Sequence, residues 1–481
     1  MKLLDDNKNE SKTYWESVNS LFKPKDSSKK FHLVDQVSKT QIAPEETADY
    51  INDFFVNIGP KLARDYTRPW KPPSNTVPLT FELLPVEVNT VSKVAKDLNS
   101  SKASAIENIS SPVLKEAFLH TPNQFTHIIN LSLTTGKVPE KWKVATVVPL
   151  PKEGDPENVS NLRPISTLPL PGKVLERIVY NSTVNYLDEV NLVTEHQSGF
   201  RSGHSTISAI ADFTDDIYRA INNSNITHTV FIDFSKAFDT INHEILLKKL
   251  FHLGFKKSSI NWFQNYLTNR KQKIIANNKF SDLKDIVCGV PQGSILGPLL
   301  FLLYVNDLGD CLQYTKYKLY ADDTVLYLST PLRYNYDELL NKDLLNMHNW
   351  CQENKLTVNL KKTKYMATAS SSKKLKKLRE AKITMGGVEL QKTTEFKYLG
   401  ITIDNCLNFN KHVSVLNQTV SHKIYLLNKI RWFIKEEDSI NIYKTMILPH
   451  LPYGDVIYSA TSKGNLKKLQ KIQNRGIRTC I

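Results

Sequence analysis

The 481-residue chain is 41% hydrophobic and 23% charged, ordinary values for a globular protein of about two to four domains, but its formal charge of +15 is not ordinary. A basic surplus of that size points to a polyanionic partner, nucleic acid or an acidic membrane surface, unless it serves solubility alone. The five scattered cysteines form no CxxC or Cys/His cluster and exclude a disulfide framework and a zinc site, as expected of an intracellular protein in the cytoplasm, the nucleus or both.

The N-terminal MKLLDDNKNESK has no long apolar stretch and does not read as a signal peptide. Residues 1–75 read as a helical lead-in. In ETADYINDFFVNIGPKLA (Glu46–Ala63), Ile51, Phe54, Phe55 and Ile58 form one helical stripe, and Gly59-Pro60 is expected to stop the helix. RPWKPPSNTVP then reads as a linker. From Phe81 to Asp404 helical and strand patterns alternate without a regular βαβ period, which predicts an α+β class. TVFIDF reads as a buried strand interrupted by Asp233. The following helix is expected to start at Asp239 as its N-cap, to bury Ile241, Ile245, Leu246 and Leu250, and to end at Gly254. The most apolar run, ILGPLLFLLYV (Ile295–Val305), contains a proline and is too short to span a bilayer.

YKLYA and TVLYL flank Asp322-Asp323 in a hairpin pattern, with the acidic pair at or near the turn. ATASSSKKLKKLRE (Ala367–Glu380) reads as an exposed basic connection. After Asp404, HVSVLNQTVSHKIYLLNKIRWFIK returns to helical spacing, and Lys411–Ile481 holds twelve Lys/Arg against four Asp/Glu. The interleaved Tyr425, Trp432 and Phe433 are expected in the core.

A carboxylate within a core strand has no capping role, and buried charges are normally paired or bind a metal. Asp322-Asp323 alone either turns a hairpin or holds a metal. Together with Asp233, the pair can converge on two divalent cations about 4 Å apart, the arrangement used for in-line phosphoryl transfer. Hard oxygen donors select magnesium over zinc.

FIDFSKAFD, GVPQGSILGPLLFLLYVNDL and YADD, in this order, resemble the palm motifs of reverse transcriptases. The FSKAFDTINH form is similar to that of non-LTR (LINE-type, jockey/CR1-like) retrotransposons. The resemblance runs from about Phe81 to Ile481. It implies a right-hand polymerase fold of fingers, palm and thumb, with an antiparallel palm sheet carrying the catalytic aspartates. The lead-in would occupy 1–75, the reverse transcriptase domain 134–404 and a basic helical thumb 405–481. The implied activity is RNA-directed DNA synthesis: a DNA primer extended on an RNA template from dNTPs with two magnesium ions, or manganese as a substitute. The alternative is a catalytically silent nucleic-acid-binding remnant of the same fold. A membrane-surface protein would need an amphipathic anchor or a lipidation signal, and neither is seen. Relatives usually carry an endonuclease domain before this region and continue beyond it, so a polymerase fragment or truncated copy is expected. No oligomeric state is implied.

The resemblance also assigns roles. Asp233 and Asp322 would bind both metals, with Asp323 a less direct third carboxylate. Phe238 matches the aromatic steric gate that crowds a ribose 2′-OH, and Gln292 the loop contacting the incoming nucleotide and template. ATVVPLPKEGDPENVSNLRPIS (Ala145–Ser166) resembles the fingers hairpin, whose Lys152 and Arg163 would grip the triphosphate. In HQSGFRSGHST, His204 stands where the family carries a second arginine. NKLTVNLKKTKYM resembles the next motif, with Lys362 as the lysine that protonates pyrophosphate and Lys361 and Lys364 as its neighbouring alternatives. EFKYLGITID resembles the primer grip, centred on Tyr398, Leu399 and Gly400.

Overall fold

The computed structural model describes residues 11–22, 31–97 and 111–480, apart from positions 36, 65, 74–76, 153, 154 and 156. Most of the N-terminal segment judged for a signal peptide, and Glu153, Gly154 and Pro156 of the expected fingers hairpin, lie outside the described residues. In chain order the strands are β1 (Val144–Pro151), β2 (Leu162–Thr167), β3 (Ile226–Ile232), β4 (Arg270–Ala276), β5 (Lys279–Phe280), β6 (Lys284–Ile286) and β7 (Lys316–Tyr320). They continue with β8 (Asp323–Thr330), β9 (Lys364–Thr368), β10 (Thr384–Met385), β11 (Val388–Glu389), β12 (Gln391–Lys392), β13 (Glu395–Tyr398) and β14 (Ile401–Asp404). The helices that shape the site are α1 (Thr47–Ala63), α2 (Leu170–Glu189), α3 (His243–His252), α4 (Leu296–Val305), α5 (Asn410–Ile430) and α6 (Lys463–Cys480).

One sheet runs β2-β1-β4-β5, with β6 also on β4; β1 pairs antiparallel with β2 and parallel with β4. The other runs β12-β9-β3-β8-β7. Its four longer strands are antiparallel, but β12 joins β9 in parallel, so the expected antiparallel sheet is mixed at one edge. A parallel pair needs a long crossover, and the chain between β9 and β12 supplies it with a short helix and the β10–β11 hairpin. Within the expected basic connection, Ala367–Ala369 are buried and the stretch from Ser370 onward is largely exposed.

Strand β3 is buried along its whole length, and its alternation decides which core each side chain enters. Val230 and Ile232 join Leu326 and nearly all of α4 in the larger cluster. Phe231 joins Val325, Tyr327, Tyr398, Ile401 and the apolar stripe of α5 in the other. Each fully buried Leu or Phe contributes on the order of 1.5–3 kcal/mol, so both faces hold β3 and β8 in register. His228 lies on the Val230 and Ile232 side, with Nδ1 2.8 Å from the Tyr365 hydroxyl, and burial pushes its pKa down to about 3, keeping the ring neutral.

Three local expectations are corrected. Helix α1 does not stop at Gly59-Pro60 but continues to Ala63. Pro60 is exposed, where water can replace its missing hydrogen bond. Gly59 is a packing residue: a Cβ there would lie 2.3 Å from the Asp239 carbonyl oxygen and 2.5 Å from Cys288 Sγ. The N-cap of α3 is Asn242, whose side chain accepts from Ile245 N at 3.0 Å, whereas Asp239 lies earlier, in a 3-10 turn over Ala237–Asp239. The chain passes Lys236 with φ 51°, and this extra turn displaces the helix start. Gly254 does follow the helix end, with φ +89°. Finally, Tyr425, Trp432 and Phe433 are 53%, 76% and 67% exposed. The core face of α5 is filled by Val413, Leu416, Val420, Ile424 and Leu427, and the aromatics fall outside that stripe.

Among the described residues no helix is long and apolar enough to cross a membrane. Gly59→Ala should destabilise the protein by roughly 1–3 kcal/mol through overpacking against the Asp239 turn; urea unfolding read by circular dichroism checks this, and an unchanged midpoint would mean that the contact can relax.

Candidate active site

The β3–β8 ladder ends with Ile232 paired to Thr324. One further step along that register brings Asp233 opposite Asp323, with Asp322 next to it in the turn. The hairpin is tight: Tyr320 pairs with Asp323 across Ala321-Asp322. Ala321 has φ 56°, a conformation costing a non-glycine residue roughly 1–2 kcal/mol. Gln197 helps to hold it there, its Oε1 accepting from Ala321 N at 3.2 Å and Gly199 N at 2.8 Å. The chain around Gln197 also lies along β7, with Ser198 N donating to Leu319 O and Leu319 N to His196 O, each at 2.9 Å.

The three carboxylates act on one another. Burial raises the Asp233 pKa, aided by Asp322 and opposed by Lys362, Lys152 and a hydrogen bond from Asn359. Asp323 is pushed up to about 6 by the surrounding protein and by the charges of Asp322 and Asp233, although its side chain opens to solvent. The loop before β9 fixes the first of these groups. Asn359 N donates to Asp233 O at 2.7 Å, and Thr363 Oγ1 accepts from Asp233 N at 3.3 Å. That clamp sets Lys362 beside Asp233. Lys364 turns away, donating to Lys361 O at 2.6 Å and to Gln391.

Cations gather on the same side. Burial lowers the Lys152 pKa, reinforced by Arg163 and Lys362, while Asp239 and Asp233 oppose the shift. Lys236 is a fourth member that motif reading missed. Its amine donates to Leu162 O at 3.0 Å and stands 5.5 Å and 5.9 Å from the Phe54 and Phe55 ring centroids of α1. Burial, then the neighbouring Lys152, bring it down to about 8. Its position three residues after Asp233 was visible, but a lysine in a turn reads as solvated surface.

Phe238 stacks on Phe301 of α4 with centroids 4.8 Å apart and meets the edge of Phe200 at 6.3 Å. Gln292 reaches across to Asp239, donating from Nε2 to Oδ1 at 2.8 Å, while Ser166 N on β2 donates to its backbone oxygen at 2.7 Å. Asp239, read as a cap, is thus part of the site wall: Oδ2 is enclosed without a hydrogen-bond partner among the described residues, and burial raises its pKa. Gly289, at φ +80°, permits this approach, because a Cβ would stand 2.8 Å from the Asp239 carbonyl oxygen. Tyr398-Leu399-Gly400-Ile401 forms a two-residue hairpin with positive φ at Leu399 (44°) and Gly400 (88°), the I′ pattern that matches strand twist. The Tyr398 ring is buried against Phe213 and Phe231, and Tyr453 donates to Leu399 O at 2.7 Å. His204 is exposed, and Arg201 is spent on the carbonyls of Thr194 and Gln197 at 3.0 and 3.2 Å.

Among the described residues no group of three or more His, Cys, Asp or Glu side chains is arranged to hold a metal ion by itself. An open set of carboxylates suits magnesium, which is usually held by one or two carboxylates plus substrate phosphates. The raised Asp233 and Asp323 carboxyls are what a cation would relieve.

An acidic centre on paired strands, with lysine and arginine in electrostatic reach, is a candidate site for polyphosphate chemistry. The sequence profile of the reverse transcriptase (RNA-dependent DNA polymerase) family matches residues 150–403, and the chain belongs to that family. It is 29% identical to the probable RNA-directed DNA polymerase from transposon BS of Drosophila melanogaster, over 83% of this chain and 45% of that protein. The polymerases of the X-element and of mobile element jockey, from the same fly, are 26% and 27% identical, over 82% and 73% of this chain and 44% and 39% of theirs. The chain therefore spans less than half the length of these relatives.

A raised aspartate binds its proton more tightly in the folded state, so stability falls as pH rises from the ordinary carboxylate value through about 6. Asp322→Asn removes one of the charges acting on Asp323 and should lower its midpoint in a carboxyl carbon NMR titration; no movement would mean that burial alone sets it.

Proposed function

We propose that the chain is the polymerase region of a non-LTR retrotransposon protein, an RNA-directed DNA polymerase that extends a DNA primer on an RNA template. The observation that carries this is the meeting of Asp233, Asp322 and Asp323 at the β3–β8 end, with Lys152, Arg163, Lys236 and Lys362 beside them. In this reading the β1-β2-β4 sheet belongs to the fingers, the β3-centred sheet is the palm, and α5 with α6 forms the thumb.

Asp233 and Asp322 would hold two divalent cations, with Asp323 as the outer carboxylate. Bound there, magnesium (or manganese) supplies Lewis-acid activation of the primer hydroxyl and neutralises pyrophosphate charge. Lys152 and Arg163 grip the triphosphate, the guanidinium by a two-pronged hydrogen-bonded fork. Lys362, near Asp233, would hand a proton to the departing pyrophosphate. Phe238, braced from behind by Phe301, crowds a ribose 2′-hydroxyl and favours dNTPs. Gln292 lines the nucleotide pocket through its bond to Asp239, and the Tyr398–Gly400 turn supports the primer end.

Two measurements test this. Wild-type protein should extend a DNA primer on RNA with dNTPs and magnesium, and Asp322→Ala should lose essentially all incorporation; equal activity would refute the enzyme and favour the silent remnant. Phe238→Val should raise ribonucleotide incorporation relative to dNTPs, and unchanged selectivity would remove Phe238 as the gate.

A further inference from the structure

The outer face of α5 is largely exposed, and Lys411 at its start pairs with Glu395 at 3.9 Å. Lys411, Val415, His422, Tyr425 and Lys429 are exposed and recur at three-, four- or seven-residue intervals, one stripe of the helix, and exposed Trp432 follows in the 3-10 turn Arg431–Phe433. Phe433 adjoins it. The cations are interleaved with the rings: Lys429 Nζ lies 4.8 Å from the Tyr425 centroid and Arg431 Cζ 4.2 Å from that of Trp432. No aspartate or glutamate occurs between Asn410 and Lys435, which hold five Lys/Arg, or within α6, which holds six. Helix α6 packs along α5, Arg475 donating to Ser421 O at 3.4 Å and Arg431 to Thr479 O at 3.5 Å, so the two basic elements form one surface.

We propose that this face docks an unpaired nucleic-acid strand, with Trp432 and Phe433 as a stacking platform for its bases. The positive charge selects a polyanion. Exposed aromatics select open base faces, since a duplex offers its backbone and leaves such rings in water. A second copy on the same face would set like charges against each other. The site is distinct from the acidic centre. The first turn of α5 lies beside the β13–β14 hairpin, with Thr402 N 3.4 Å from His412 Nδ1. A helical rise of 1.5 Å per residue carries the end of α5 at Ile430, which the Trp432 turn follows, roughly 27 Å beyond it. The inference rests on the polymerase reading only in expecting nucleic acid as partner, and its test needs neither nucleotides nor metal.

Fluorescence anisotropy with labelled oligo(U), oligo(dT) and a blunt duplex would compare wild type, Trp432→Ala, Phe433→Ala and Trp432→Phe. Single-strand affinity should fall about tenfold or more in each alanine variant and be retained in Trp432→Phe, with duplex affinity unchanged. The tighter of the RNA and DNA arms assigns the strand. Equal losses on single strands and duplex, or no loss on either, would overturn the proposal. So would a change in self-association, read by analytical ultracentrifugation, at unchanged single-strand affinity. If the wild type binds single strands through Trp432 yet extends no primer, the docking face stands and the polymerase reading falls.

Discussion

The site depends on one ladder. Pairing of β3 with β8 turns carboxylates far apart in sequence into neighbours, and their repulsion is sustained because both strands are buried on two faces. A slip of one residue would exchange the two sets of core side chains and separate Asp233 from the turn. The charge is therefore held in place by hydrophobic packing on both faces of the strands that carry it. Gln197 adds a local restraint by keeping Ala321 in a backbone conformation that alanine alone disfavours.

The turn at Asp239 organises the rest. Gly59 from α1 closes on it from one side and Gly289 from another, Gln292 bonds its carboxylate, and Lys236 links it to β2 through Leu162. Positive charge is thereby brought up to the acidic centre without burying it in salt bridges. The loop carrying Gln292 and the strand carrying Arg163 are fixed to one another by the backbone bond between Ser166 and Gln292.

Much of this was legible from residues. The apolar run interrupted at Asp233 and the pattern around Asp322-Asp323 carry both the strand pair and its hairpin, because strand burial writes itself into the sequence. The motif order identifies the family where any one motif would not. Contacts between distant segments were not legible. Gly59 reads as a helix stop because its neighbours, Asp239 and Cys288, lie elsewhere in the chain. Asp239 reads as a cap because the extra turn after Lys236 depends on backbone conformation. Trp432 and Phe433 read as core because hydrophobicity alone does not tell which helical face is already filled.

The seat of Gly59 has a consequence for how the protein comes into being. The α1 helix lies before the stretch matched to the family, yet it closes the wall around Asp239 and Cys288. On a growing chain, that wall has no second half until synthesis has passed the Cys288 region. Contacts so widely separated are slow to form because a long loop must close first. The acidic centre would thus be among the last regions to mature, and an emerging chain would spend that interval with the apolar flank of α1 uncovered, the period in which a chaperone has most to bind.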